Sequence, residues 1–377
     1  MKSFLLGFTI LSLQINVLYG CFEEERSALL DFKASVQAIE GDTAGLLLRS
    51  WSNETSSGDC CKWERVTCNS TTGHVIMLFL NETRPNYDDM SGWSLNISIF
   101  HHFMELRSLD LSLNAIAEFI GNEDSKSYKL NKLENLDLSW NYLDNQVLKV
   151  LGQFKALKSL YLQNNVISGS LSDQGLSALS NLKILNLHFN ELNGTLPIQF
   201  LANFKSLEIL DLSWNEFTGS IPSNIGRLLP SLKVLTLSRN FLNGNLPTPG
   251  LCQLQKLKEL DLSLNSFRGA IPPCLGKLTQ LNALNLSRNH LTGSVLKTLS
   301  NLSRVESLDL SYNSLSGEIP QELTVLHFLK FFSVAYNKLS GRIPDIKRRF
   351  GKFDKSSYEG NSLLCGVPLN KSCKRFS

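Results

Sequence analysis

Ten asparagines, at positions 114, 141, 165, 190, 215, 240, 265, 289, 313 and 337, each close a copy of the pattern LxxLxLxxN. The steps between them are 27, 24, 25, 25, 25, 25, 24, 24 and 24 residues. A regular period of this length means one structural unit stacked on copies of itself, which constrains the fold more than any other feature of the chain. Within each copy, leucines alternate with polar residues, as in a strand with one buried face. A single coil cannot bury leucines such as Leu207, Leu210 and Leu212 alone. Coils therefore stack, and their strands pair in parallel about 4.8 Å apart. The asparagine amide suits the point where the strand turns, because it can bond backbone groups there and link one coil to the next. The earlier segment HVIMLFLNET is a degenerate copy, with Leu78 and Leu80 in place and Thr83 where the asparagine belongs.

From Asn190 onward most repeats add a second motif: NGTLP at Asn193, TGSIP at Thr218, NGNLP at Asn243, RGAIP at Arg268, SGEIP at Ser316 and SGRIP at Ser340. Glycine permits a tight turn, and proline, which donates no backbone hydrogen bond, suits a segment edge. Gly169 and Gly293 start copies without the proline. The composite LxxLxLxxNxLSGxIP resembles the plant-specific class of leucine-rich repeats. CFEEERSALLDFKASV followed by GDCCKWERVTC resembles the amino-terminal cap of plant receptor-like proteins and receptor kinases. SYEGNSLLCGVPLNKSC resembles their carboxy-terminal cap, and SLNISIFHHFMELRSLDLS the first repeats of the receptor-like proteins. The expected fold is an α/β, right-handed leucine-rich-repeat solenoid with a parallel concave β-sheet and a disulfide-bonded cap at each end.

Residues 1–20, MKSFLLGFTILSLQINVLYG, have the form of a secretory signal peptide: Lys2, then an apolar run broken by Gln14 and Asn16. The cysteines that follow are Cys21, Cys60, Cys61, Cys68, Cys252, Cys274, Cys365 and Cys373; in an exported chain this even number reads as disulfides. The caps need them because end coils expose leucines on one side. Cys61 and Cys68 can close a loop around Trp63, which leaves Cys60 for Cys21, since vicinal cysteines pair with strain. Cys365–Cys373 would close the far cap. Cys252 and Cys274, one repeat apart, are expected to pair, with two separate thiols as the alternative. Sequons at Asn53, Asn69, Asn81, Asn96, Asn193, Asn285, Asn301 and Asn370 fit the same compartment. The expected organisation is a signal peptide at 1–20, a cap at 21–72, about 11 repeats at 73–344 and a cap at 345–377.

Little here suggests chemistry. The net charge of +3, with both signs interleaved, gives no basic stripe for nucleic acid. Six histidines lack metal-ligand spacing, so no metal or cofactor is expected. No kinase motif is present, and no set of nucleophile, base and oxyanion donors suggests an enzyme. His101-His102 sit between Phe100 and Phe103 in a segment leading into a repeat. Asp88-Asp89, and the basic run Lys347, Arg348, Arg349 and Lys352, read as solvated surface.

The repeats serve as their own alignment. The column between the paired leucines is Asp110, Asp137, Asp211, Asp261 and Asp309, and serine follows the second leucine in seven of ten strands. The aspartates form either an acidic stripe or hydrogen bonds with serines. Two adjacent strands break both columns, with Tyr161 and Gln163, then Asn186 and His188. Directly before the asparagine stand Leu113, Trp140, Asn164, Phe189, Trp214, Arg239, Leu264, Arg288, Tyr312 and Tyr336. These are rich in the aromatic and arginine anchors of interfaces, though large side chains here could equally cover a neighbouring coil. A glycan on Asn285 would crowd the concave face of the later coils. Ligand binding is therefore expected toward the amino-terminal half, at Trp140, Tyr161, Gln163, His188, Phe189, Trp214 and Arg239.

The family resemblance implies an extracellular recognition module. It would bind a peptide, or a microbial or cell-wall-derived protein or carbohydrate, and act in defence or development through partner leucine-rich-repeat receptor kinases. No apolar run of about 18 residues follows the leader, and the sequence stops at Ser377. The expectation is thus a secreted, apoplastic chain, or a plasma-membrane protein if a longer form exists. Two other functions fit the same sequence: a secreted inhibitor of microbial polygalacturonase, and a truncated receptor acting as a decoy.

Overall fold

The computed structural model describes residues 21–40, 48–52, 59–84, 92–121, 130–171, 175–344 and 350–373. The leader, the Asn53 sequon, Asp88-Asp89 and Lys347 to Arg349 lie outside them. Among the described residues the concave sheet has twelve strands. From Val75–Phe79 to Phe331–Ser333 they run parallel, one per coil. Val66–Cys68, from the cap, joins the first of these antiparallel. Pairing is leucine on leucine: Leu136 opposes Leu160, which opposes Leu185, then Leu210, then Leu235. That register keeps every leucine on the inner face, and all five are at most 2% exposed. A one-residue slip would expose the whole set.

The glycine motif builds a second, six-stranded sheet beside the first, from Ser168–Ser170 to His290–Thr292. Its glycines adopt left-handed backbone, as at Gly194 with φ 77°. At Gly269 a Cβ would also meet Asn245 Oδ1 at 2.6 Å. Gly169 and Gly293, which lack the following proline, hold φ 75° and 81° in strands that pair normally. The glycine makes the turn and the proline does not. Short helices such as Ile198–Leu201 and Ile225–Leu228 close the convex side.

The coils are joined by the asparagines. Asn240 Nδ2 donates to Leu212 O of the preceding coil and to Leu237 O and Ser238 O of its own. Its Oδ1 accepts the Phe217 N–H at 2.9 Å, again from the preceding coil. The same bonds recur from Asn114 to Asn337. Thr83 starts the ladder, bonding Asn114 Oδ1 through its backbone N–H and its hydroxyl. The ladder also runs one rung past the last repeat counted in the sequence. Asn361, within the carboxy-terminal cap, donates to Val334 O and accepts from Leu339 N.

Disulfides tie down both ends. Cys21 bonds Cys60 and Cys61 bonds Cys68, each with Cα atoms 5.5 Å apart. Cys365 bonds Cys373 across 5.1 Å. Cys252 bonds Cys274 between adjacent coils. The helix Glu23–Glu40 turns Ala28, Leu29, Phe32 and Val36 onto the first coil and leaves its other face to solvent. Trp51 and Trp63 stack behind it with ring centres 5.7 Å apart. Glu25, 1% exposed, accepts the Val75 N–H and contacts His74 Nδ1 at 3.1 Å.

Two outcomes test this framework. Asn240→Ala leaves the buried Phe217 N–H without its acceptor, while the Leu212, Leu237 and Ser238 carbonyls each keep a second donor. It should therefore cost on the order of 2 kcal/mol in denaturant unfolding, within the range of about 1–3 kcal/mol for one buried unsatisfied group. Burial is the largest influence on the Glu25 carboxyl and raises its pKa. Its ionised form is therefore penalised in the folded state. The contribution to stability is greatest below the ordinary carboxylate pKa and falls as pH climbs through the raised value. Glu25→Gln keeps an acceptor without the charge. Relative to the wild type, its melting temperature should gain as pH rises from the ordinary carboxylate pKa through the raised value.

Candidate recognition site on the concave rim

Each rung imposes an unusual conformation on the residue before it. Leu113, Trp140, Asn164, Phe189, Trp214, Arg239, Leu264, Arg288, Tyr312 and Tyr336 all have φ between 53° and 58°. Left-handed backbone costs a residue with a Cβ about 1–2 kcal/mol. It persists here because the asparagine amide ties together the carbonyls two and three residues earlier. Side chains leaving this position rise along the rim of the concave sheet. Trp140, Phe189 and Trp214 are 55%, 48% and 40% exposed, so none belongs to the core.

Where neighbours in the column are large, they stack. Phe189 and Trp214 ring centres lie 5.4 Å apart, and the Arg239 guanidinium lies 3.8 Å above the Trp214 ring. Further along, Arg288 covers Tyr312 at 4.1 Å, and Tyr312 stacks on Tyr336 at 4.4 Å. The second stack ends against Gly360, where a Cβ would come 2.6 Å from a Tyr336 ring carbon. Large column residues therefore do cover their neighbours, but on the outside of the coil.

Trp140 stands apart from the first stack because the residue between it and Phe189 is the short Asn164. That difference opens a groove of about 410 Å³ lined by Leu113, Ala115, Trp140, Tyr142, Asn164 and Val166, with Phe189 at its far wall. Of the seven residues expected to bind ligand, Trp140 and Phe189 line this groove, and Trp214 and Arg239 extend its wall. Tyr161, Gln163 and His188 stand on the adjoining concave sheet. His188 joins the two areas: its Nδ1 lies 2.7 Å from Ser213 Oγ, and its ring is 6.1 Å from Phe189 and 6.2 Å from Trp214. Leu113, Ala115, Tyr142, Asn164 and Val166 were missed; Tyr142 lies outside the column before the asparagine, and Asn164 is too small for a search for large residues to find. The available signal was the one small residue set between two aromatics.

On the sheet, each aspartate accepts from the serine two residues on. Asp137 Oδ1 takes the Ser139 N–H at 2.9 Å and its hydroxyl at 2.6 Å, and the pattern repeats at Asp110 and Asp211. This supports the hydrogen-bonding reading over an acidic stripe. Asn285 plays the same part toward Ser287. Burial pushes the Asp137 carboxyl above its usual range, against the pull of its Ser139 bonds. Tyr161, on the next strand, is held protonated by burial and then by Asp137. Gln163 has no such serine bond, and its Oε1 is buried without a partner. Among the described residues no group of three His, Cys, Asp or Glu side chains could hold a metal ion. Nor is any helix among them long and apolar enough to cross a membrane.

The chain belongs to the leucine-rich-repeat family. Residues 144–345 match the leucine-rich repeat region, and residues 22–69 match the leucine rich repeat N-terminal domain. Its curated relatives are plant receptor-like proteins. Receptor-like protein 9a of Arabidopsis thaliana is 40% identical over 175 residues, which are 46% of this chain and 17% of that protein. The match thus spans less than a fifth of that relative's length. Among solved structures, the plant peptide hormone receptor RGFR1 in complex with RGF2 superposes with a TM-score of 0.58 at 30% identity. It covers 67% of this chain and 39% of its own. A plant ice-binding protein superposes with a TM-score of 0.63 at 26% identity, over 95% of this chain and 99% of its own.

The left-handed column yields a test of whether its aromatics serve the fold. Asparagine tolerates this backbone better than tryptophan, by up to about 1 kcal/mol. Trp140→Asn should therefore leave the melting temperature unchanged or raise it. A clear drop would mean that Trp140 holds neighbouring coils together.

Proposed function

We propose that this chain is an extracellular recognition module that binds a peptide along the rim and concave sheet of its amino-terminal coils. The observation that carries the reading is the groove between Trp140 and Phe189, continuous with the exposed Phe189, Trp214 and Arg239 stack. Solvent-facing aromatics held in a costly backbone conformation are not explained by packing, and such side chains dominate protein interfaces. Receptor-like relatives and a peptide hormone receptor of the same fold favour a peptide. The likeness to an ice-binding protein shows that the fold alone does not set the ligand; the side chains at the rim do. Signalling through partner receptor kinases, in defence or development, accords with those relatives, as does an apoplastic or plasma-membrane-associated location.

The test uses random 12-residue peptides displayed on phage and selected against the native chain. Binders should lose about 100-fold or more in affinity for a Tyr161→Ala, Phe189→Asn, Trp214→Asn variant, as expected when several interface anchors are removed together. The variant should keep its secretion level and near-native melting. Undiminished affinity would place recognition elsewhere.

A further inference from the structure

The groove beside Asn164 has a shape that names its occupant. Along the rim, the column residues of successive coils are one coil apart, and adjacent aromatic pairs show ring separations of 5.4 Å with the rings tilted and 4.4 Å with them stacked. Trp140 and Phe189 are two coils apart, an interval of about 10 Å at the usual strand spacing. One planar ring fits midway, about 5 Å from each neighbour, within the range that aromatic pairs favour. Asn164 supplies no ring and leaves that place open. A ring set there would join Trp140 to the stack of Phe189, Trp214 and Arg239.

The lining decides the chemistry. Leu113, Ala115, Trp140, Val166 and Phe189 are apolar, and no charged residue borders the groove. Asn141 and Asn165 also touch it, but their amides are committed to the ladder. Asn164, Tyr142 and the indole of Trp140 are the lining side chains with a polar group that makes no hydrogen bond among the described residues. A sugar ring would bring several hydroxyls, most of them on its rim, into a place with few partners, and each unsatisfied group would oppose binding. A charged group would meet no counter-charge. A flat, uncharged ring with at most one polar substituent meets neither cost.

We propose that the groove over Asn164 is a subsite for an uncharged aromatic side chain (phenylalanine, tyrosine or tryptophan) of a peptide ligand, which inserts between Trp140 and Phe189. The subsite rests on the peptide-recognition reading above and assigns that ligand its anchor. The Asn164 amide and the Tyr142 hydroxyl are placed to meet a phenol or indole group.

Asn164→Trp tests this by filling the place from within. Trp140 and Trp214 already occupy the same left-handed position, so the backbone accepts the change; Asn164→Phe serves as a second variant, and near-native melting is required of the variant used. Peptides selected on the native chain should be enriched in aromatic residues and lose about 30-fold or more in affinity for the filled variant. N-acetyl-phenylalaninamide and N-acetyl-tyrosinamide should show saturation-transfer NMR signals with the native chain that vanish with the filled one. A cello-oligosaccharide should show none at this site. If selected peptides keep their affinity for the filled variant but lose it on the Tyr161, Phe189, Trp214 variant, the subsite is refuted while concave-face recognition stands. If neither variant weakens them, both fall. An oligosaccharide signal lost on filling, with no signal from the aromatic amides, would overturn the choice of ligand.

Discussion

The side-chain amide of one asparagine per coil organises this molecule. Its Nδ2 holds two carbonyls of its own coil and one of the coil before, while its Oδ1 takes an N–H of that earlier coil. The leucine carbonyls and the N–H held this way find their partners only in these amides, so without the ladder they would be left unsatisfied. Leucine burial supplies the larger driving force, but it is non-directional and does not define the angle at which each coil leaves the sheet. The amide does. It also fixes the residue before it in left-handed backbone, which points that side chain out along the rim. One bonding pattern thus builds the fold and creates a column of positions that the fold does not need to fill in any particular way.

That division explains what was legible in the sequence. The repeat period, the inward leucines and the parallel sheet follow from residues that recur, and recurrence is visible without coordinates. The same period places a rung at 361, 24 residues beyond Asn337, yet SYEGN lacks the leucines and reads as cap. Its Gly360 completes the logic: the left-handed position there is overlaid by Tyr336 and has no room for a side chain. The groove was not legible for a different reason. Sequence patterns reward large residues, whereas this groove is produced by a small one, and its walls come from four successive coils. Tyr161, Gln163 and His188 stood out because they break the Asp and Ser columns, but their strand position sets them on the sheet rather than in the groove.

The remaining polar features show why counting charges along such a face misleads. The concave aspartates could suggest attraction for a basic ligand, yet those at 110, 137 and 211 each accept an N–H and a hydroxyl from the serine two residues on. Basic residues along the adjoining edge meet glutamates of neighbouring coils, as Arg107 and Lys158 both meet Glu134, and Lys233 meets Glu208. Exposed pairs of this kind add little stability, but they leave no large field of one sign. If the rim is the recognition surface proposed above, discrimination there rests on shape and on its few unsatisfied polar groups.

The column itself shows how a solenoid can change ligand without changing fold. Ten positions share one backbone conformation, and residues as different as leucine, asparagine, arginine and tryptophan occupy them with φ values within 5° of one another. The backbone cost at each differs by no more than about 1 kcal/mol between residues with a Cβ, so exchanging them alters stability little while redrawing the surface. An aromatic extends a stack, an arginine caps one as Arg239 does over Trp214, and an asparagine opens a gap one ring wide. Replacing any one of them moves, closes or creates such a gap at a chosen coil. On the proposed reading, specificity in this chain is therefore a matter of which rim positions are left short, and its stability a matter of the asparagines that follow them.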